Sequence, residues 1–273
     1  MCKALASSPC AQDTIENVRL ILLSPPLDDA VLSAGGLIHD EAARGMPVEI
    51  WTLMAGMPED MELSGFAAEM HAKWGTTTAE DTLQVRRAED FRAAKLLGAK
   101  AVHLDFPDAI YRQGPDRQAL YGEPVGTTIH PQDMLLPSQM ARELATRLVD
   151  NDTIICPLAL GAHVDHVIVR QAAEALGRPL RYVADVPYSM YHPGELAPAT
   201  AGMESRLYRI SESGFGVWLE AIQSYASQLS TLYESWDLLR EAVRQYWLAE
   251  GGIRLWSVGG LREAPGLDSA SKS

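Results

Sequence analysis

The chain has 273 residues, of which 47% are hydrophobic and 22% charged, enough to bury a sizeable core as one domain with an appendage. Its 23 Lys and Arg residues against 36 Asp and Glu give a net charge of -13, which disfavours nucleic acids and anionic membranes as partners. No apolar run approaches the roughly 20 residues of a membrane helix, and the cysteines Cys2, Cys10 and Cys156 lack metal-type spacing. We therefore expect a cytoplasmic protein with neither a nucleic-acid nor a membrane partner.

Short apolar runs of strand type alternate with longer segments of helical period. This alternation predicts an α/β fold, a Rossmann-like three-layer sandwich with a mostly parallel sheet in the order 3-2-1-4-5. The predicted strands are Val18–Ser24, Val48–Met54, Ala101–Phe106, Thr153–Leu158 and Leu180–Val186. The predicted helices are Ala30–Arg44, Val85–Leu97, Leu136–Val149 and Val167–Leu176, three of them ended by Gly45, Gly98 and Gly177.

The remaining segments set the domain organisation. Two intervals, 56–82 and 107–131, lack a regular period and are predicted to be functional loops. The chain is divided into a disordered N-terminal tail (1–17), a Rossmann-like domain (18–203), a helical C-terminal extension packed on the same domain (204–260) and a second tail (261–273).

The two segments richest in reactive side chains follow the first and fourth strands. SPPLDD carries Asp28 and Asp29, and GAHVDH carries His163, Asp165 and His166. In the order 3-2-1-4-5 these strands are neighbours at the switch point, where ligands bind beyond the carboxyl ends of the strands. Taken separately, each acidic or histidine-bearing segment is also compatible with simple helix capping. Their convergence favours a site.

Asp and His are the oxygen and nitrogen ligands that zinc accepts in hydrolytic sites, where one position stays open for water. Of two adjacent aspartates, one can bind a metal while the other faces the water as a general base. A histidine that does not bind the metal can donate a hydrogen bond to the developing oxyanion. The constellation is therefore typical of a hydrolase.

Four segments resemble the PIG-L-type (LmbE-like) N-deacetylase family, whose members remove acetyl groups from amino sugars and related amides. SPPLDDAVLSAGG is similar to the first motif, which reads SPHLDDAVLS followed by a glycine pair in a bacterial branch of the family, and GAHVDHVIVRQAAEALG is similar to the second. RRAEDFRAAKLLGA and VHLDFPDAIYR resemble the segments between them. The likeness runs from about residue 18 to residue 260.

The resemblance implies a role for each matched residue. Asp28 corresponds to the general base, Asp29 and His166 to metal ligands, His163 to the stabiliser of the tetrahedral intermediate, and Asp165 to a carboxylate that orients His163.

The histidine ligand of the first motif falls on Pro26, whose side chain has no donor atom. Three alternatives stay open: Asp29 and His166 still hold Zn²⁺ with weakened affinity, the site is metal-free, or the proline is a substitution for a natural histidine.

Further candidates lie in the irregular segments, at the start of the second predicted helix and after the third strand. His71, His130 and His192 are candidates for a substitute ligand. The resemblance proposes five substrate-binding residues, Arg86, Arg87, Asp108, Tyr111 and Arg112. Tryptophans such as Trp74 are able to stack on a sugar face.

The leading expectation is a zinc-dependent hydrolase that removes an N-acetyl or N-acyl group from a small-molecule amino sugar or related amide. The alternative is a catalytically silent member that binds a glycoside-like ligand without cleaving it. A nucleotide-binding Rossmann enzyme is disfavoured because no GxGxxG follows the first strand. The sequence leaves the oligomeric state open, with a homo-oligomer as one option.

Overall fold

A computed structural model describes residues 18–59, 62–259 and 267. The strands are β1 (Leu20–Ser24), β2 (Val48–Thr52), β3 (Lys100–His103), β4 (Thr153–Pro157), β5 (Leu180–Val183), β6 (Glu204–Arg209) and β7 (Gly252–Ser257). The helices are α1 (Asp29–Ala43), α2 (Gly65–Trp74), α3 (Ala79–Leu96), α4 (Leu136–Arg147), α5 (Val164–Glu174), α6 (Tyr188–Tyr191), α7 (Pro193–Ala199), α8 (Glu212–Gln223), α9 (Leu229–Leu232) and α10 (Trp236–Glu250). Short 3-10 helices cover Ala109–Tyr111, Pro131–Asp133 and Leu160–Ala162.

The strands form one sheet in the order β3-β2-β1-β4-β5-β7-β6, so the predicted order 3-2-1-4-5 is confirmed. Pairs among the first five strands are parallel, and β7 pairs antiparallel with both β5 and β6. Four of the five predicted strands are slightly too long at their carboxyl ends, and the first begins two residues too early but ends correctly at Ser24. For example, β2 ends at Thr52, and the Met54 N–H donates to Pro25 O at 2.8 Å. Met54 therefore contacts the loop that follows β1.

The two faces of β1 explain why its sequence is a continuous apolar run. Leu20 and Leu22 pack into one core cluster, together with helices α1, α3, α8 and α10. Ile21 and Leu23 pack into the other, together with α4 and α5. A strand covered by helices on both faces needs apolar side chains on both, which is the arrangement of a three-layer sandwich.

The glycine pair at the middle of α1 allows α8 to pack closely. A Cβ atom on Gly35 would lie 2.3 Å from the Trp218 ring, and one on Gly36 would lie 2.6 Å from Ile210. The Trp218 indole N–H donates to Val31 O at 2.7 Å, which satisfies its polar atom inside the core. This contact fixes α1, and therefore the loop that precedes it, against the C-terminal part of the chain.

The predicted C-terminal extension is helical in α8, α9 and α10, but it also contributes two strands to the sheet. β6 begins at Glu204, next to the expected boundary, and β7 lies beside β5. Glu204–Arg209 is mostly exposed or half-buried, as expected of a strand at the edge of a sheet.

The prediction of a wholly irregular segment at 56–82 is wrong, because it contains α2 and the first turn of α3. Helix α2 begins after Ser64, whose hydroxyl accepts from Ala67 N at 3.1 Å, and ends at Gly75 with a left-handed φ of 75°. The predicted tail 1–17 lies outside the described residues, as does 261–273 apart from Leu267, which is buried. Within the described residues no helix is long and apolar enough to cross a membrane.

Candidate active site

The loop between β1 and α1 is held rigidly at the switch point of the sheet. The Ser24 hydroxyl donates to Pro26 O at 2.7 Å and accepts from Ala30 N at 3.1 Å, so one side chain closes the turn. From the adjacent elements, Arg86 donates to Leu27 O at 3.3 Å. These bonds position the Asp28 and Asp29 side chains beyond the carboxyl ends of β1 and β4.

Asp28 has a strained backbone and a buried side chain. Its φ of 100° lies in the left-handed region, which costs a non-glycine residue on the order of 1–3 kcal/mol and is typical of functional positions. It stands at the N-cap of α1 without a side-chain cap bond, so helix capping does not explain it. Burial, then repulsion from Asp29, raises the pKa of Asp28 well above its usual value, which increases its affinity for a proton.

His163 is fixed in one tautomer by the backbone. At the N-cap of α5 its Nδ1 atom accepts from the Asp165 backbone N–H at 3.2 Å, which leaves the Nε2 atom to carry the ring proton. Burial lowers the pKa of His163, so the ring is held in the neutral form. The ring therefore presents an N–H donor to its surroundings.

The Asp165 carboxylate bonds to the segment that follows β3. It is fully buried, accepts from Ala109 N at 3.0 Å and lies 2.6 Å from the Arg112 guanidinium. Arg112 also pairs with Asp133 at 2.9 Å. The resemblance implied that the Asp165 carboxylate orients His163, but the Asp165 backbone amide does so instead. The carboxylate anchors the segment that follows β3 to the start of α5, because its partners are Ala109 N and Arg112.

His166 is held between two carboxylates. Its Nε2 atom lies 3.1 Å from Asp29 Oδ2, and its Nδ1 atom lies 2.6 Å from Asp185 Oδ1. Burial alone would lower the pKa of His166, but the attraction of Asp29 and Asp185 outweighs burial and raises it well above the usual value. Asp185 was not among the site residues predicted from the sequence. The available signal was an acidic residue near the carboxyl end of the predicted fifth strand, because ligands bind at that edge of a parallel sheet.

These residues surround an open cavity of about 400 Å³. Pro26, Asp28, Asp29, His163 and His166 line it, so the two predicted motifs do converge. Of the five proposed substrate-binding residues, the lining includes Arg86 and Asp108, which pair with each other at 3.1 Å. The other three, Arg87, Tyr111 and Arg112, are not part of this lining.

Each of those three residues contacts another part of the protein. Arg87 donates to Ala55 O, and Tyr111 lies 2.9 Å from His71 through its hydroxyl. Arg112 makes the buried pairs with Asp133 and Asp165 described above.

Both charged and apolar side chains line the cavity. The Arg86 guanidinium lies 4.9 Å from the centroid of the Trp74 ring, and Trp74 lines the cavity as one of the tryptophans considered for stacking. The apolar part of the lining comes from α2, α6 and α9 and from neighbouring loops: Phe66, Met70, Trp74, Ile110, Tyr191 and Leu232. The Tyr188 ring also lines the cavity and lies next to both histidines.

The site fits two of the three expected zinc ligands. Asp29 Oδ2 and His166 Nε2 are buried, face each other and have no hydrogen-bond partner of good geometry, as two ligands of one ion would. The third expected position is Pro26, and no group of three His, Cys, Asp or Glu residues in the part of the chain that the structure describes has the geometry of a metal site. The complete three-ligand set of a catalytic zinc ion is therefore not formed by these residues.

The candidate substitute ligands are used elsewhere. The buried His71 ring contacts Tyr111, the His130 ring accepts from Gln132 N at 3.3 Å, and the exposed His192 lies 3.7 Å from Glu195. None of the three lines the cavity as the described residues form it.

Comparison with known proteins is consistent with this geometry. The family model described as PIG-L: GlcNAc-PI de-N-acetylase matches residues 21–176. A 2'-N-acetylparomamine deacetylase from Streptomyces fradiae is 28% identical over 189 residues, which cover 65% of this chain but only 60% of that relative.

Solved structures match over more of their length. The zinc-inhibited form of teicoplanin deacetylase Orf2 is similar with a TM-score of 0.75 and 28% identity, covering 88% of this chain and 97% of that one. The A40926 pseudoaglycone deacetylase Dbv21 is similar with a TM-score of 0.68 and 30% identity, covering 89% of this chain and 97% of that one. The chain therefore belongs to the PIG-L family of GlcNAc-PI de-N-acetylases.

Proposed function

We propose that the protein is a hydrolase that removes an N-acetyl or other N-acyl group from an amino sugar or a related small amide. The observation that carries the proposal is the convergence of Asp28, Asp29, His163 and His166 on one cavity at the switch point of the sheet. The similar proteins named above are deacetylases of sugar-bearing compounds, which supports the same substrate class for this chain.

The residues of the cavity suffice to describe amide hydrolysis. Water attacks the acyl carbon, and Asp28 takes the proton that the water loses. The Nε2–H group of His163 donates a hydrogen bond to the carbonyl oxygen as negative charge develops on it. When the C–N bond breaks, Asp28 returns the proton to the departing nitrogen, and the products are a carboxylic acid and a free amine.

Asp29 and His166 are the groups that would hold a Zn²⁺ ion, which supplies acidity to a bound water and polarises the carbonyl. Changes that remove even an outer partner of a metal ligand cost roughly 10–100-fold in affinity or activity, and the loss of a direct ligand at Pro26 should cost at least as much. We therefore propose that zinc binding by this chain is weak or absent. The Asp185 carboxylate would orient His166 in either case.

A second function is favoured by one observation, namely that Pro26 lines the cavity at the position where the family resemblance predicts a ligand. In this alternative the protein binds an N-acylated glycoside and does not cleave it. The cavity and its apolar lining residues would be retained for binding, while hydrolysis would be lost together with the metal.

The two functions are separated by measuring zinc content and acetate release for the natural chain and for Pro26→His. The substrates are 2'-N-acetylparomamine and alkyl glycosides of N-acetylglucosamine, with Asp28→Asn as the inactive reference. Pro25→His is the matched control, because it adds an imidazole one residue away. Acetate release by the natural chain that Asp28→Asn abolishes supports the hydrolase. If zinc binding and activity appear only in Pro26→His, the hydrolase function is refuted and the binding function is supported.

A further inference from the structure

Tyr188 is the first residue of α6 and lines the same cavity as the two histidines. Its ring meets the His166 ring edge-on, with centroids 5.3 Å apart and planes at 84°. The centroid of the His163 ring lies 6.3 Å away, with the planes at 46°. The phenol therefore stands beside both histidines, although neither the motifs nor the strand pattern pointed to it.

The Tyr188 ring is positioned by the backbone around it. A Cβ atom on Gly161 would lie 2.6 Å from Tyr188 Cδ1, so the absence of a side chain at residue 161 makes room for the ring. Gly161 has a φ of 73° and donates its N–H to Glu195 Oε2 at 2.7 Å, which ties this turn to α7. On the other side, Ser189 N donates to Asp185 O at 2.7 Å. The ring is held without any bond from its hydroxyl.

The hydroxyl groups of three buried tyrosines in neighbouring elements are all paired. Tyr111 contacts His71 at 2.9 Å, Tyr121 donates to Asp133 at 2.7 Å, and Tyr225 donates to Asp90 at 2.6 Å. By contrast, the Tyr188 hydroxyl forms no hydrogen bond with any residue that the structure describes. Tyr188 is half-buried at the wall of the cavity, so its unpaired hydroxyl is available to a ligand.

We propose that Tyr188 is a further catalytic residue, whose hydroxyl donates a hydrogen bond to the acyl carbonyl oxygen of the bound amide, together with His163. Two donors directed at the same oxygen form an oxyanion hole, which is most effective when both are fixed before the reaction begins. The proposal rests on the hydrolase function above. The phenol keeps its proton throughout, so Asp28 remains the group that transfers one.

Tyr188→Phe removes the hydroxyl and keeps the ring that packs on Gly161. The matched control is Tyr182→Phe, because the Tyr182 hydroxyl bonds Glu174 at 3.2 Å and lies outside the cavity lining. For acetate release, kcat of Tyr188→Phe should fall by about 100-fold, the lower end for loss of one oxyanion donor, while KM stays nearly unchanged. The control should keep the kcat of the natural chain.

A binding measurement does not depend on turnover. Calorimetry compares a methylphosphonamidate analogue of an N-acetylglucosamine glycoside, which imitates the tetrahedral oxyanion, with the free glucosamine glycoside. Tyr188→Phe should bind the analogue about 100-fold more weakly and the amine equally well.

The outcomes separate the two proposals. A natural chain that releases no acetate contradicts the hydrolase function, and the analogue then decides on Tyr188 alone. The role of Tyr188 would be overturned by an unchanged kcat in Tyr188→Phe or by a change confined to KM. It would also be overturned if both proteins bound the analogue equally well or if neither bound it.

Discussion

Replacing Asp185 with Asn tests the arrangement around His166. The side chain of Asp185 is buried, with Oδ1 2.6 Å from His166 Nδ1 and Oδ2 accepting from Leu160 N at 3.0 Å. Both neighbours require an acceptor, whereas the Asn amide offers one oxygen and one NH₂ group. The NH₂ group would face an N–H donor, so one buried group would lose its partner, which costs about 1–3 kcal/mol of stability.

The effect on activity should be of similar size. Loss of a partner that orients a site histidine typically costs 10–100-fold in activity, which corresponds to about 1.4–2.7 kcal/mol in the activation barrier. The assay is kcat/KM for acetate release, with urea unfolding measured on the same preparations. Because Asp185 is one of the two carboxylates that raise the pKa of His166, the ¹⁵N titration of the imidazole should show a lower pKa in the variant.

Asp152→Asn is the matched control for Asp185→Asn. Asp152 is similarly buried and pairs with Arg19 at 2.9 and 2.7 Å, but it precedes β4 and lies at the amino end of the sheet. Both variants should lose stability, and only Asp185→Asn should lose activity. Full kcat/KM in Asp185→Asn, or an equal loss in Asp152→Asn, would refute the reasoning.

Three further changes test the support of the site, each by denaturant unfolding. Arg112→Ala leaves Asp165 buried without its cation, so the free energy of unfolding should fall by about 3–5 kcal/mol, and a loss under 1 kcal/mol would contradict a buried pair. Gly35→Ala forces a methyl group against Trp218 and should lower the free energy of unfolding by about 1–3 kcal/mol. An unchanged unfolding midpoint would show that α8 can shift to make room for the methyl group at no cost. Burial lowers the pKa of His71 below its usual 6.5, so the stability that its neutral ring contributes is complete above that pH and is lost as the pH falls below it. His71→Asn should therefore make the free energy of unfolding less dependent on pH in this range. Identical pH profiles for the two proteins would contradict this prediction.

Much of the site was predictable because it depends on local sequence and on sheet topology. The apolar runs set the five parallel strands, and their order brings the loops of Asp28 and His166 together without any knowledge of side-chain contacts. The motif resemblance then assigned a role to each residue. These signals are carried by a few consecutive residues, so they survive in the sequence alone.

The residues that were placed less well depend on contacts between distant segments. Arg87 lies in α3, and Tyr111 and Arg112 come after β3. The directions of these side chains are set by contacts with Ala55, with His71 and with acidic partners, respectively. A side chain at the edge of a sheet can point into the cavity or behind it, and the packing of the neighbouring loops decides which. Helix α2, within a segment of weak periodicity, is likewise stabilised mainly by the cluster around it.

The sequence by itself determined the α/β fold, the order of its parallel strands, the position of the candidate site and the absence of a donor atom at residue 26. Only the tertiary structure decided that Asp185 holds His166 and that the Asp165 backbone fixes the tautomer of His163. It also placed Tyr188, which packs on Gly161, beside both histidines. The physical reason is that periodicity and motifs encode where the backbone goes, whereas hydrogen bonding between side chains depends on how separate elements pack against one another.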